Sequence, residues 1–291
     1  MDSAEVLAVR FEEHRPHLKA VAYRMLGSLA EAEDAVQEAW FRLSRSADER
    51  IENLGGWLTT VVGRVCLDLL RGRKRRGEES LEARLPDPVI TPEGVPAGPE
   101  QQALLTDSVG LALLVVLDEL SPAERLAFVL HDLFAVPFED IAPIVDRTPA
   151  TTRKLASRAR QRVSGATPPP DPDPADQRRV VDAFLAAARG GDFERLVTLL
   201  DPDVVLRADG GAGAGGLKVL SGVAAVGGQA ATFQRMATAT ITHPALVNGV
   251  AGVVSSVEGK PFSVVSFTVS GGRIVAIDIL SDPERVAGLV P

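Results

Sequence analysis

Residues 121–163 read SPAERLAFVLHDLFAVPFEDIAPIVDRTPATTRKLASRARQRV, and this stretch decides the fold. Ser121 is an N-cap, Pro122 suits the first helical position, and Glu124 stands where a capping box needs its acid. A helix is expected to run to about Ala135, with Pro137 interrupting it. A short helix follows over 138–145, with Phe138, Ile141, Ile144 and Val145 on one face. Asp146 and Arg147 turn the chain, Thr148 is an N-cap and Pro149 an N1 residue. The last helix buries Thr152, Leu155, Ala156, Ala159 and Val163, and leaves Arg153, Lys154, Ser157, Arg158 and Arg160 outside. From 147 to 162 there are six Lys or Arg and no acid. A helix of this kind after a tight turn fits a major groove, where Arg reads guanine edges and pairs with phosphates. A solvated basic helix has the same composition, so the rest of the chain must decide between them.

The length of 291 residues suggests two or three domains, and 45% hydrophobic residues are enough for real cores. A net charge of −8 excludes a protein that coats nucleic acid indiscriminately. DNA binding has to use local patches, with a partner adding affinity. The single cysteine, Cys66, excludes an intramolecular disulfide and reads as a small buried residue. His14, His17, His131 and His243 have no metal-ligand spacing, so neither metal nor cofactor is expected. The N-terminus lacks a signal pattern, and the longest apolar run, 111–117, is too short to span a bilayer. The expectation is a cytoplasmic protein with no membrane contact.

Residues 1–77 read as helices. A first apolar face carries Leu7, Phe11, Leu18, Val21, Ala22 and Met25, and Gly27 closes it. Ser28 and Glu31 form a second capping-box signature. The next helix has an apolar stripe from Ala32 to Leu43, with Asp34, Gln37, Glu38 and Phe41 outside it. That face is either solvated or a docking surface for a basic partner helix. After a loop, a third helix carries Trp57, Leu58, Val61, Val62 and Val65, and ends in a dense basic run. Such a run satisfies the helix macrodipole, and it can also neutralise several phosphates. Residues 78–100 hold a Pro-rich, extended linker in which Leu85, Val89 and Ile90 are able to dock locally. A helix returns over 100–120.

A second Pro-rich boundary lies at 164–175. Beyond it the pattern changes to two helices and six strand-like runs, VVLRA, LKVL, ATITHPALV, GVAGVVSSV, FSVVSFTV and RIVAIDIL. The last two, joined through Ser270-Gly271-Gly272, make a hairpin. Residues 176–291 are therefore expected to form an α+β domain long enough to fold alone.

YRMLGSLAEAEDAVQEAWFRL, GGWLTTVVGRVCLDLLRGRKRR, AERLAFVLHDLFAVPFEDIA and TTRKLASRAR together resemble the extracytoplasmic-function sigma factors of bacterial RNA polymerase. The C-terminal region resembles SnoaL-like domains of the NTF2-like cone fold, and the combination resembles the subgroup that carries this extra domain. RLPDPV at 84–89 resembles that subgroup's linker motif, with Arg84 in place of an aromatic. DGGAGAGG at 209–216 resembles its Gly-rich loop, and SDPERV at 281–286 its Asn-Pro-Asp motif, with Ser281 in place of Asn. The resemblance implies a sigma-2-like helical domain at 1–77, a linker at 78–100, a sigma-4-like helix-turn-helix domain at 101–163, a second linker at 164–175 and a regulatory NTF2-like domain at 176–291.

It also implies roles. Asp34, Gln37, Glu38 and Phe41 would dock on core RNA polymerase, whose β′ and β subunits and promoter DNA are the implied partners. Asn53, Trp57, Arg64, Arg71, Arg73, Lys74, Arg75 and Arg76 would meet the −10 element, where a base leaves the stack. Arg147, Thr151, Thr152, Arg153, Lys154, Ser157, Arg158 and Arg160 would read the −35 element. Asp209, Gly210, Gly211, His243, Asp278 and Asp282 would serve interdomain contacts or a pocket. The C-terminal domain would touch the sigma domains or their linker within the chain. Two other readings stay open. One is a helix-turn-helix regulator sensing a small molecule in the cone. The other is a SnoaL-like cyclase or isomerase using Arg207, Asp209, His243 or Asp278 as cone-lining acids and bases.

Overall fold

The computed structural model describes residues 3–46, 51–76, 84–94, 98–105, 110–166 and 168–290. The chain divides into two compact units. The first gathers residues 1–81, 98–107 and 116–165, and the second gathers 82–97, 108–115 and 166–291. The two helical regions therefore share one unit, and most of the stretch expected as a free linker belongs with the C-terminal region.

The first unit opens with α1 (Ser3–Leu26), α2 (Leu29–Arg45) and α3 (Leu54–Arg76). Their apolar stripes meet in a core that fully buries Leu18, Val21, Met25, Val36, Leu43 and Leu58. Gly27 takes a left-handed φ of 70° to end α1, and Ser28 then caps α2 by accepting the Glu31 N–H at 3.4 Å. α4 (Pro99–Leu105) follows, and α5 (Gly110–Asp118) straddles the division between the units. Residues 106–109, expected inside one continuous helix, lie outside the described residues.

α6 (Pro122–Phe128) starts with the expected capping box, Ser121 accepting from Glu124 N while the Glu124 carboxylate accepts from Ser121 N. The α-helix does not run to Ala135. It widens into a π turn over Val129–Leu133, and Ala135 ends it at φ 54°. Two contacts outside simple periodicity hold this turn. Val136 N donates to Leu130 O at 2.8 Å, and the His131 ring stacks on Phe138 with centroids 3.8 Å apart. α7 (Phe138–Val145) and α8 (Pro149–Ala166) complete the helix-turn-helix, with Asp146 at φ 54° in the turn.

Within this unit the two helical regions pack against each other. A Cβ at Gly63 of α3 would lie 3.4 Å from methyls of Leu126 on α6 and Leu130 in the π turn. Arg125 is 3% exposed, donating to Met25 O at 2.9 Å and to Asp118 at 2.7 Å. Burying this cation is favourable only because a carbonyl and a carboxylate receive it.

The second unit is the α+β cone expected of an NTF2-like domain. α9 (Pro174–Gly190) and α10 (Phe193–Leu199) precede β2 (Leu200–Asp209), and β3 (Leu217–Ser221) pairs back antiparallel. Two short helices follow, α11 (Val223–Gly227) and α12 (Ala230–Ala239). Then come β4 (Ile241–Val247), β5 (Val250–Val257), β6 (Lys260–Ser270), β7 (Arg273–Leu280) and α13 (Pro283–Leu289). With β1 (Ile90–Pro92), these strands form one seven-stranded sheet in the order β1-β4-β5-β6-β7-β2-β3. Only β2–β7 is parallel.

Alternation along each strand separates two faces. Val253, Val265, Phe267, Ile277 and Ile279 pack on α9, α10 and α12. Ile90, Ala245, Val247, Val254 and Val264 form a smaller cluster on the other face, with Leu289 and Val290 against it. The Pro-rich tract also joins the sheet. Asp171 N donates to Val269 O at 2.7 Å, and the Asp171 carboxylate accepts the Gly271 and Gly272 N–H groups at 2.8 and 2.9 Å. A tract read as a boundary is thus tied to the turn of the β6–β7 hairpin. Among the described residues no helix is long and apolar enough to cross a membrane.

Candidate nucleic-acid interfaces and the linker clasp

α8 owes its orientation to its buried face. Thr152, Ala156 and Ala159 are buried, and Thr152 Oγ1 donates to Thr148 O at 3.0 Å. Thr152 therefore anchors the helix and does not face solvent. Thr148 Oγ1 accepts from Thr151 N at 3.3 Å, which caps the helix. Arg147, Thr151, Arg153, Lys154, Ser157, Arg158 and Arg160 are all exposed. They are not equivalent. Arg153 lies over the Phe138 ring at 5.3 Å, and Arg160 Nε donates to Asp132 at 2.6 Å. Arg162 pairs with Glu124 at 2.9 Å. Burial pushes the Glu124 carboxyl upward, but its bonds from Ser121 and Arg162 outweigh that and hold it below the usual range.

α3 begins at a cap. Asn53 Oδ1 accepts from Gly56 N at 3.0 Å, and Trp57 is half-buried behind it. Arg64, Lys74 and Arg75 are exposed, and Arg71 is partly so. Arg73 is engaged with Glu31 of α2. Arg71, Lys74 and Arg75 line a groove of about 510 Å³ with Asp68 and the start of α6. The side chain of Arg76 lies outside the described residues. On α2, Asp34, Gln37 and Phe41 lie on one exposed face, Phe41 with 52% exposure, and Glu38 pairs with Arg42 at 2.8 Å. Half-exposure of a large aromatic beside acids is a marked surface feature.

In the second unit the three short motifs meet. Asp209 ends β2 and is 1% exposed. Its Oδ2 accepts from Leu85 N and from Arg285 Nη1, both at 2.8 Å, and its Oδ1 accepts from Gly211 N at 3.0 Å. Arg285 Nη2 also donates to Leu85 O at 2.6 Å and to Asp87 Oδ1 at 2.8 Å. Asp282 aims Arg285 by capping α13, accepting from Glu284 N and Arg285 N at 3.0 and 3.2 Å. Gly211 stands at φ 75°, where a Cβ would lie 2.2 Å from Asp282 Oδ2, so only glycine fits. Gly210 is similarly close to Ala214, at 2.7 Å. Further along, Val89 N donates to Asn248 Oδ1 at 3.0 Å and Asn248 N to Val89 O at 2.8 Å. β1 then pairs with β4, Ile90 opposite Val247. Residues 85–92 are thus clasped to the sheet. Sequence reading singled out Asp209, Gly210, Gly211 and Asp282 but missed Arg285, Asp87 and Asn248. The first two lay inside motifs already quoted.

The expectation that Arg207, Asp209, His243 and Asp278 line the cone is corrected. Asp278 lies between Ile277 and Ile279, and Arg207 between Leu206 and Ala208, all four neighbours packed in the main core. Thr242 lines the cone cavity, so its neighbour His243 points to the other face. Asp209 shares the parity of Arg207. Asp278 is fully buried and pairs with Arg207 at 3.0 Å, burial raising its carboxyl above the usual range against the pull of that guanidinium. No titratable side chain lines the cavity, and no group of three or more His, Cys, Asp or Glu able to hold a metal occurs among the described residues.

Comparison with known proteins agrees with this geometry. The family model for Sigma-70 region 2 matches residues 10–76, and that for Sigma-70, region 4 matches residues 110–163. The chain is 37% identical to the ECF RNA polymerase sigma factor SigJ of Mycobacterium tuberculosis, over 96% of this chain and 92% of that protein. It is 33% identical to the probable ECF RNA polymerase sigma factor SigI of the same species, over 98% and 97%. Its structure matches the crystal structure of M. tuberculosis SigJ with a TM-score of 0.74, covering 97% of this chain and 98% of that one.

Proposed function

This chain belongs to the extracytoplasmic-function sigma factors, subunits that direct RNA polymerase to promoters for transcription initiation, and from that membership we propose how its surfaces divide the work. The face of Asp34, Gln37, Glu38 and Phe41 docks on core polymerase through β′, and β meets the remainder. Asn53, Trp57 and the basic half of α3, including Arg76, hold the −10 strand. Arg147, Thr151, Arg153, Lys154, Ser157 and Arg158 read the −35 duplex, while Thr152 positions their helix. The chain works in the cytoplasm with the polymerase, and it is not an enzyme. The cone cavity offers no acid or base to a substrate.

The second unit restrains the connector between the two helical regions, and the Asp209–Arg285 clasp on residues 85–87 is the observation that carries this reading. Magnitudes give the direction. Elements at −10 and −35 lie about 25 base pairs apart, roughly 85 Å along B-DNA. A compact unit the size of the first one is roughly 40 Å across. The two helical regions must therefore part to engage both elements. A fully extended connector over 78–100 reaches about 75 Å, and the clasped segment subtracts from that reach. Holding the connector opposes opening, and core polymerase and promoter together supply the energy to open it.

The test is energy transfer between dyes on introduced cysteines at Ser44 of α2 and Ser164 of α8. Both positions are exposed, and buried Cys66 stays unlabelled because burial raises its thiol pKa. Transfer should fall when core polymerase and promoter are added. Unchanged transfer would overturn the opening.

A further inference from the structure

The cone of the second unit holds a cavity of about 60 Å³ between the sheet, α9 and α12. Phe184, Phe233, Met236 and Phe267 dominate its wall, with Phe184 in edge contact with both other rings at 5.6 Å. Such a wall excludes water and favours apolar atoms. α12 roofs it loosely. Phe233 and Ala237 face the core, yet none of the helix's ten residues is buried. The mouth has a different chemistry. Thr240, Thr242 and Ser255 add hydroxyls to the lining, and the exposed Arg189 on α9 donates to Thr242 Oγ1. An apolar chamber with one cation at its lip is matched by one kind of molecule.

We propose that the cone binds a small apolar monocarboxylate, with its hydrocarbon body among Phe184, Phe233, Met236 and Phe267 and its carboxylate on Arg189. The cation selects charge, because a guanidinium–carboxylate pair at a partly dry lip is stronger than a neutral hydrogen bond. The volume selects size. An apolar cavity of ~150 Å³ admits benzene, so this smaller one takes a short chain directly and larger bodies only as α12 moves outward. Met236, unbranched and adaptable, suits a wall that must reshape around its guest. This site is independent of how the chain engages polymerase.

The sequence provides its own reporter. It contains three methionines, and Met236 lines the cavity while Met25 is fully buried in the first unit. Full-length protein carrying 13C-methyl methionine is titrated with hexanoate and, separately, with 1-hexanol. Hexanoate should shift the Met236 signal saturably and leave Met25 still, with 1-hexanol at least tenfold weaker. Arg189→Gln should weaken hexanoate about tenfold and leave 1-hexanol unchanged. Ala237→Leu, which fills the chamber, should abolish the shift while the Met25 signal reports an intact fold. Absence of a saturable Met236 shift, equal affinity for acid and alcohol, or full binding by either variant would overturn the assignment.

Discussion

At the scale of single residues, Glu124 unites a local signal with a distant partner. Its capping box was legible because Ser121 and Glu124 are three apart and the chemistry is local. Its pair with Arg162 was not, because 38 residues separate them. Glu124→Gln keeps the shape and removes the charge, so it should destabilise the first unit by about 1 kcal/mol at neutral pH. The folded carboxyl lies below its ordinary pKa, so its contribution is complete above that value and is lost as pH falls through the folded one. Urea unfolding should therefore find wild type and variant apart at pH 7 and converging in acid. A gap that persists below pH 3 would assign the effect to packing. Arg285 lies further still from local reading, 76 residues from Asp209 and 200 from Leu85. Each motif was visible alone, but their meeting point depends on the sheet.

At the scale of elements, periodicity located the helices of the first unit and the six strands of the cone. It failed where tertiary contacts set the structure. The π turn at Val129–Leu133 owes its form to the His131–Phe138 stack, and β1 is a strand only because β4 offers it a partner. α12 escaped because its apolar positions are few and half covered. The recognition helix was legible in full, since its buried and basic faces follow one period. The structure grades its arginines. Arg158 is exposed at mid-helix, whereas Arg160 is committed to Asp132. Arg158→Ala should cost holoenzyme about 10- to 100-fold in preference for a cognate over a scrambled −35 duplex, with core binding intact. Arg160→Ala should cost less. Competition binding measures both, and an equal fall in core affinity would make these residues structural.

At the scale of the whole molecule, a chain with a net charge of −8 carries two basic surfaces inside one compact unit and a connector held by another. Neither basic surface reaches two promoter elements while the first unit stays closed, so selectivity has to come with the larger enzyme that opens it. The clasp is the control point. Removing Arg285 frees Leu85 and Asp87 and leaves the Asp209 carboxylate with backbone donors alone, a loss of roughly 2–4 kcal/mol in the hold on the connector. The most direct measurement is run-off transcription with purified core polymerase at limiting full-length protein, wild type against Arg285→Ala, with circular dichroism confirming that the variant is folded. Restraint of the connector predicts several-fold more transcript from the variant, and equal or lower yield from folded variant would contradict it.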